Sequence, residues 1–306
     1  MSFLISILLF ISFYQIGFFV QKNFIKKNES IFKDKVFFIS IGLIVFQFWT
    51  SIIALFNNKN LYLIGGVIFI LMSFLINLSD YKKESFTRLM RKIKLRNLIT
   101  NYTRINFFKI IEYLILISYF FCCLIPITSA DSLDYHLGSA YMYLNSNTHD
   151  PTWYTSLLAL NGEKMIATLI AINAKESIQI IQFIGLLNIY FIFNKFGKFI
   201  KVNNTLFLKS KLFDVFRLSI ISAPIVLFLT VTAKPQLFPI SLICLAFFII
   251  LNNEDNKYKF DKLNFLFINI LIISAFLNKL TLIIPSFITY FYYFYDFIKN
   301  NVFNFK

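Results

Sequence analysis

Apolar positions run along this chain in nine long stretches separated by polar links. The stretches are 3–20, 36–56, 61–78, 110–128, 178–194, 215–232, 235–251, 263–278 and 281–298. A helix needs roughly 17–25 apolar residues to cross a hydrocarbon core about 30 Å thick. The pattern therefore predicts an all-α, polytopic integral membrane protein of about nine spans. Helices are required because a lipid-exposed strand edge would leave backbone groups without partners. The links at Ala233-Lys234 and Lys279-Leu280 are so short that the helices flanking them must form tight hairpins. The first stretch lacks a basic leading region and a small-residue cleavage site, so it reads as a retained helix rather than a signal peptide.

The polar links are strongly asymmetric. With the N-terminus outside and the C-terminus in the cytoplasm, segments 21–35, 79–109, 195–217, 252–262 and the C-terminal tail hold all but five of the 30 Lys and Arg. The outer side keeps Lys59, Lys164, Lys175, Lys234 and Lys279. Cytoplasmic loops carry such an excess of positive charge in membrane proteins generally. The net charge of +15 is thus a matter of topology, and nucleic acid is not an expected partner. Segment 82–109 reads as a cytoplasmic amphipathic helix on anionic headgroups, with Phe86, Leu89, Met90 and Ile93 on its apolar side. Its end divides the chain into a three-span region, 1–109, and a second region, 110–306. Cys122, Cys123 and Cys244 all fall inside apolar stretches, so no disulfide framework is implied.

One outer loop, 129–177, gathers both histidines and five of the fifteen acidic residues. Residues 132–146 read as a helix at the membrane surface, with Leu133, Leu137, Ala140 and Leu144 as its apolar stripe. Tyr135, Tyr141 and Tyr143 suit the lipid–water boundary. Asp131 fits an N-cap and Asp134 the third helical position. A second helix is expected to start at Asp150-Pro151 and to be anchored by Trp153 and Tyr154. A break is expected at Asn161-Gly162, followed by a helix with Glu163 near its start, where a carboxylate complements the dipole. Lys234 and Lys279 occupy tight outer turns. Taken one at a time, each of these residues has an ordinary structural explanation. Together, two cations facing a carboxylate-rich loop make a cradle for a phosphate-bearing headgroup.

The run Ala130-Asp131-Ser132-Leu133-Asp134-Tyr135-His136-Leu137, directly after a membrane helix, resembles the first catalytic loop of bacterial polytopic glycosyltransferases of the GT-C superfamily. The likeness is to their protein O-mannosyltransferase-like and uncharacterised members. Glu163 at the start of a later amphipathic helix and the Lys234-Pro235 turn match the same pattern. Gly138 stands where relatives often carry proline. The resemblance covers roughly 110–285 and implies a lipid-phosphate-linked sugar donor used on the outer face. It also implies that the loop aspartate, here Asp131, acts as base towards the acceptor.

The residue chemistry fits such a transfer. Asp131, partly buried and raised towards neutral pH, would take the acceptor's proton. Asp134, Tyr135, His136 and Glu163 would contact the sugar or acceptor, and Lys234 and Lys279 the leaving phosphate. Expected partners are a polyprenyl-phosphate sugar, a glycan, lipid or protein acceptor, and the bilayer of the bacterial inner membrane. No cofactor is required, although Asp131, Asp134, His136 and Glu163 include donors suited to a divalent cation. A transporter or flippase is the main alternative, disfavoured by the scarcity of charge within the stretches. A surface-polysaccharide ligase or polymerase, or a structural subunit, are further ones.

Overall fold

The computed structural model describes residues 2–24, 35–56, 58–81, 107–145, 161–203, 212–255 and 262–302. Within these the regular secondary structure is all helix, without a strand. The helices are α1 (Ser2–Phe24), α2 (Lys35–Ala54), α3 (Lys59–Tyr81), α4 (Phe107–Cys122), α5 (Gly138–Asn145), α6 (Asn161–Ala171), α7 (Ser177–Asn203), α8 (Leu212–Ser222), α9 (Pro224–Val231), α10 (Leu237–Asp255), α11 (Lys262–Asn278) and α12 (Ile283–Val302). A π-helix, Ser132–Leu137, leads into α5, and a 3₁₀ turn, Leu280–Leu282, leads into α12. The amphipathic segment expected over 82–109 and the helix expected from Asp150, with Trp153 and Tyr154, lie largely or wholly outside the described residues.

Four helices, α1, α2, α3 and α7, are long and apolar enough to cross a membrane. A fifth span results if α8 and α9, bent by 49° to each other, are counted as one. Large apolar side chains are exposed along α3 (Leu71, Leu75), α4 (Leu114, Ile117) and α12 (Ile284, Phe287, Ile288). Water would penalise such a belt by about 25 cal/mol for each Å² of apolar surface, and lipid removes that penalty.

Two stretches differ from expectation for reasons of backbone chemistry. The expected helix 110–128 ends at Cys122, because Pro126 cannot donate to a helical ladder and Ile125 before it is pushed out of the α region. The expected span 215–232 is broken: Ala223 is extended at φ −60°, ψ 130°, and Pro224 opens a new helix.

The core is organised about α7, whose two faces pack in different directions. Ile181, Ile184 and Ile192 join a large cluster with α1, α2, α3, α6, α10 and α11. Phe183, Leu186 and Tyr190 join a smaller one with α4, α8 and α9. The first three helices therefore share a core with the segment that carries Glu163. Contact between α1 and α2 is backbone to backbone, made possible by two glycines. A Cβ at Gly17 would lie 1.7 Å from the Phe38 carbonyl oxygen, and one at Gly42 would lie 2.0 Å from that of Phe13. Small residues at such crossings allow helices in lipid to pack by close van der Waals contact. Gly42→Ala is expected to destabilise the protein by about 1–3 kcal/mol, the usual range for overpacking. Thermal unfolding in detergent, compared with the open position Ile52→Ala, checks it.

Candidate functional site

The π-helix begins after Ser129, whose Oγ accepts the Ser132 N–H at 3.3 Å. Ser129 is thus the capping residue. Asp131 is not: it lies in helical geometry at φ −63°, ψ −34° and makes no side-chain cap bond. Its carboxylate is free to turn elsewhere, and it forms an ion pair with Lys234. The buried side of this helix is Ser132, His136, Ser139, Ala140 and Leu144. It is rotated by about one residue from the expected stripe, and Leu133 is exposed.

Lys234 is fixed by the break between α9 and α10. Gln179 of α7 donates from Nε2 to the Val231 carbonyl at 2.6 Å. Gln182, one turn on, accepts the N–H groups of Gln236 at 3.1 Å and Phe238 at 3.3 Å. Those are orphan donors at a helix start, which always need a partner. Ser132 Oγ accepts the Ala233 N–H at 3.2 Å, tying the break to the π-helix. The Lys234 ammonium also lies 5.2 Å from the Phe228 ring centroid.

The Lys279 turn is anchored from α2. Asn278 Nδ2 donates to Gln47 Oε1 at 2.6 Å, and Gln47 Nε2 donates to the Ser274 carbonyl at 3.0 Å. Gly162, at the start of α6, seats all three segments together. A Cβ there would lie 2.8 Å from Pro235 and 3.0 Å from the Asn278 carbonyl oxygen. Glu163, the next residue, is 2% exposed, and its Oε1 is 2.7 Å from His136 Nδ1.

Asp131, His136, Glu163, Lys234 and Lys279 therefore come together from four distant segments. Tyr135 stacks beside His136, with ring centroids 4.3 Å apart. Asp134 is exposed on the opposite side of the helix. Among the described residues, no three His, Cys, Asp or Glu side chains are grouped to hold a metal ion.

The electrostatics also correct one expectation. Asp131 is half exposed, and its carboxyl is held below the usual aspartate range rather than raised. The hydrogen-bonded Lys234 is the main cause; partial burial opposes it, and Lys279 adds to it. Burial lowers Lys279 below the usual lysine range, against the pull of Glu163 and Asp131 and with a push from Lys234. Burial likewise lowers Lys164, opposed by Glu163.

Several contributors were not read as site residues from the sequence. Tyr143 points inward rather than towards lipid. Its phenol is raised by burial first, then by Glu163, Tyr62 and Tyr135. Tyr62, from α3, is 1% exposed. The glutamines Gln47, Gln179 and Gln182 carried the available signal, since uncharged amides inside apolar stretches are retained where they hydrogen-bond across helices.

Fold and cluster define a class: a protein whose described residues are all-helical, with several membrane-length apolar helices and a charged site where the π-helix and the start of α6 meet two interhelical turns. Its family is also shown. A family model described as the DUF1420 N-terminal domain matches residues 1–297, and the chain belongs to that family. No curated protein and no solved structure matches it.

Proposed function

We propose that this protein is a membrane glycosyltransferase, moving a sugar from a polyprenyl-phosphate-linked donor to a glycan, lipid or protein acceptor. The nine-span topology belongs to this reading. It has the N-terminus outside, the C-terminus inside and the site on the outer face of the bacterial inner membrane. The observation that carries it is the convergence of Asp131, His136, Glu163, Lys234 and Lys279.

In this reaction the acceptor oxygen bonds to the anomeric carbon while the bond from that carbon to phosphate breaks. The polyprenyl phosphate leaves with the electron pair, and the acceptor loses a proton. Two lysines suit the departing phosphate. Asp131 suits the proton once Lys234 exchanges it for phosphate, so donor binding would release the base. The exposed apolar belt suits a lipid tail.

Membranes containing the protein, offered a panel of polyprenyl-phosphate hexoses and pentoses, are expected to transfer sugar from at least one. Failure with every donor, in protein shown to be folded and inserted, sinks the proposal.

One observation favours a transporter as the second reading. Arg217 and Glu112 form a buried ion pair, with Nε to Oε1 at 2.8 Å and Nη2 to Oε2 at 3.0 Å. Arg217 lies in α8, the first helix of the bent pair α8–α9. Buried charges at broken helices are a transporter device. Movement of a lipid-linked sugar across proteoliposomes without chemical transfer would favour it.

A further inference from the structure

We infer that Nε2 of His136 is a binding point for a ligand hydroxyl group, one that accepts an O–H and rejects an anion. The choice of ligand rests on the glycosyltransferase reading; the geometry stands without it. Nδ1 of His136 is 2.7 Å from Glu163 Oε1, with both side chains almost wholly buried. A carboxylate oxygen accepts hydrogen bonds, so Nδ1 carries the proton. The partner of one ring nitrogen sets the state of the other. Nε2 is enclosed and has no hydrogen-bond partner.

Buried polar atoms without a partner are uncommon, and an orphan N–H is rarer than an orphan acceptor. A neutral imidazole leaves no buried N–H orphaned at Nε2 and presents a lone pair there. A lone pair attracts a hydroxyl hydrogen and repels a phosphate oxygen. Lys234 and Lys279, in the same cluster, have the opposite preference. A sugar phosphate between them has one favoured orientation, with phosphate at the lysines and a hydroxyl at His136. The Tyr135 ring, only partly buried, lies beside the imidazole with centroids 4.3 Å apart and a tilt of 33°. The remaining charged group facing the imidazole is Asp131.

The chain has two histidines, at 136 and 149, so His149→Gln leaves a single imidazole for ¹⁵N labelling. In that protein without ligand, an unprotonated Nε2 is expected at neutral pH; a protonated Nε2 overturns the assignment. Three probes are then added separately: a polyprenyl-phosphate hexose, polyprenyl phosphate itself and a methyl hexoside. The Nε2 resonance is expected to move with a hexose-bearing probe and to stay unmoved with polyprenyl phosphate. A response to the donor assigns the hydroxyl to the donor sugar, and a response to the methyl hexoside assigns it to the acceptor. Silence towards all three, or a response to polyprenyl phosphate alone, overturns the subsite. Sugar transfer measured on the same samples separates the two failures. Transfer with a silent His136 removes the subsite only, and no transfer with a silent His136 removes both readings. In a transferring protein, His136→Phe is expected to lose about 10–100-fold in activity, from an unmade buried hydrogen bond. His136→Gln, whose amide oxygen can accept in place of Nε2, is expected to retain more.

Discussion

Replacing Arg217 with methionine is expected to destabilise the protein by about 3–5 kcal/mol, the range for breaking one side of a buried ion pair. Glu112 has no exposed surface. Its carboxylate is held by Arg217 and by the Tyr190 hydroxyl, which donates at 3.1 Å. Without the guanidinium, a buried carboxylate would keep one neutral donor. The converse change, Glu112→Leu, leaves Arg217 with Asp214, whose Oδ1 accepts from Nη2 at 3.0 Å. Asp214 is 28% exposed, so that remaining pair is screened but not lost. Arg217→Met is therefore the more damaging of the two changes. The double variant, Arg217→Met with Glu112→Leu, is expected to recover most of the loss, since it leaves no fully buried charge without its partner, and Asp214 is 28% exposed. Denaturant or thermal unfolding in detergent micelles measures all three. Equal and additive losses would mean the pair is solvated in the membrane-embedded protein, contrary to its burial.

This cluster also shows where sequence reading stops. Glu112 and Arg217 lie 105 positions apart, each near the end of an apolar stretch, and each alone reads as a residue near the headgroups. Only the packing of α8 against α4 joins them. The all-helical class, by contrast, was legible because hydropathy is a property of each stretch by itself. Helix ends were less so. Pro126 and Pro224 sit inside apolar runs, and the hydropathy of those runs does not register a missing N–H. The site divides in the same way. Asp131, His136, Glu163, Lys234 and Lys279 could be singled out as polar residues at outer turns. Their grouping depends on Gly162 admitting Pro235 and Asn278 so closely. It depends also on Gln47, Gln179 and Gln182, which look like isolated amides until their partners across the helices are known. The protonation of Asp131 was misjudged because its partner lies 103 residues away. A local pattern could suggest a cap and could not supply the cation.

Substituting Asp131 with asparagine is expected to lower sugar transfer by about 10³-fold, within the 10²–10⁴ range for a general acid or base. The change keeps size and hydrogen-bonding atoms, and Ser129 rather than Asp131 caps the helix, so folding is expected to survive. Its effect has two possible origins, since the carboxylate both pairs with Lys234 and faces the site. A cycle with Lys234→Met separates them. Were Asp131 only a holder of Lys234, the double variant would be no worse than Lys234→Met, because removing two members of one unit is not additive. Were it the base, Asp131→Asn would lower kcat by itself, and the double variant would fall well below Lys234→Met alone. The acid limb of the pH profile gives an independent check. In the free protein Lys234 holds the Asp131 carboxyl below its ordinary value, so the anion persists as pH falls until that lowered value is crossed. Removing Lys234 takes away the main cause of the depression. The acid limb of kcat/KM is then expected to move up, towards the roughly 3.9 of an unperturbed aspartate. An acid limb that stays in place in Lys234→Met, together with normal transfer by Asp131→Asn, would take Asp131 out of the reaction and leave the carboxylate as a tether for the Lys234 turn.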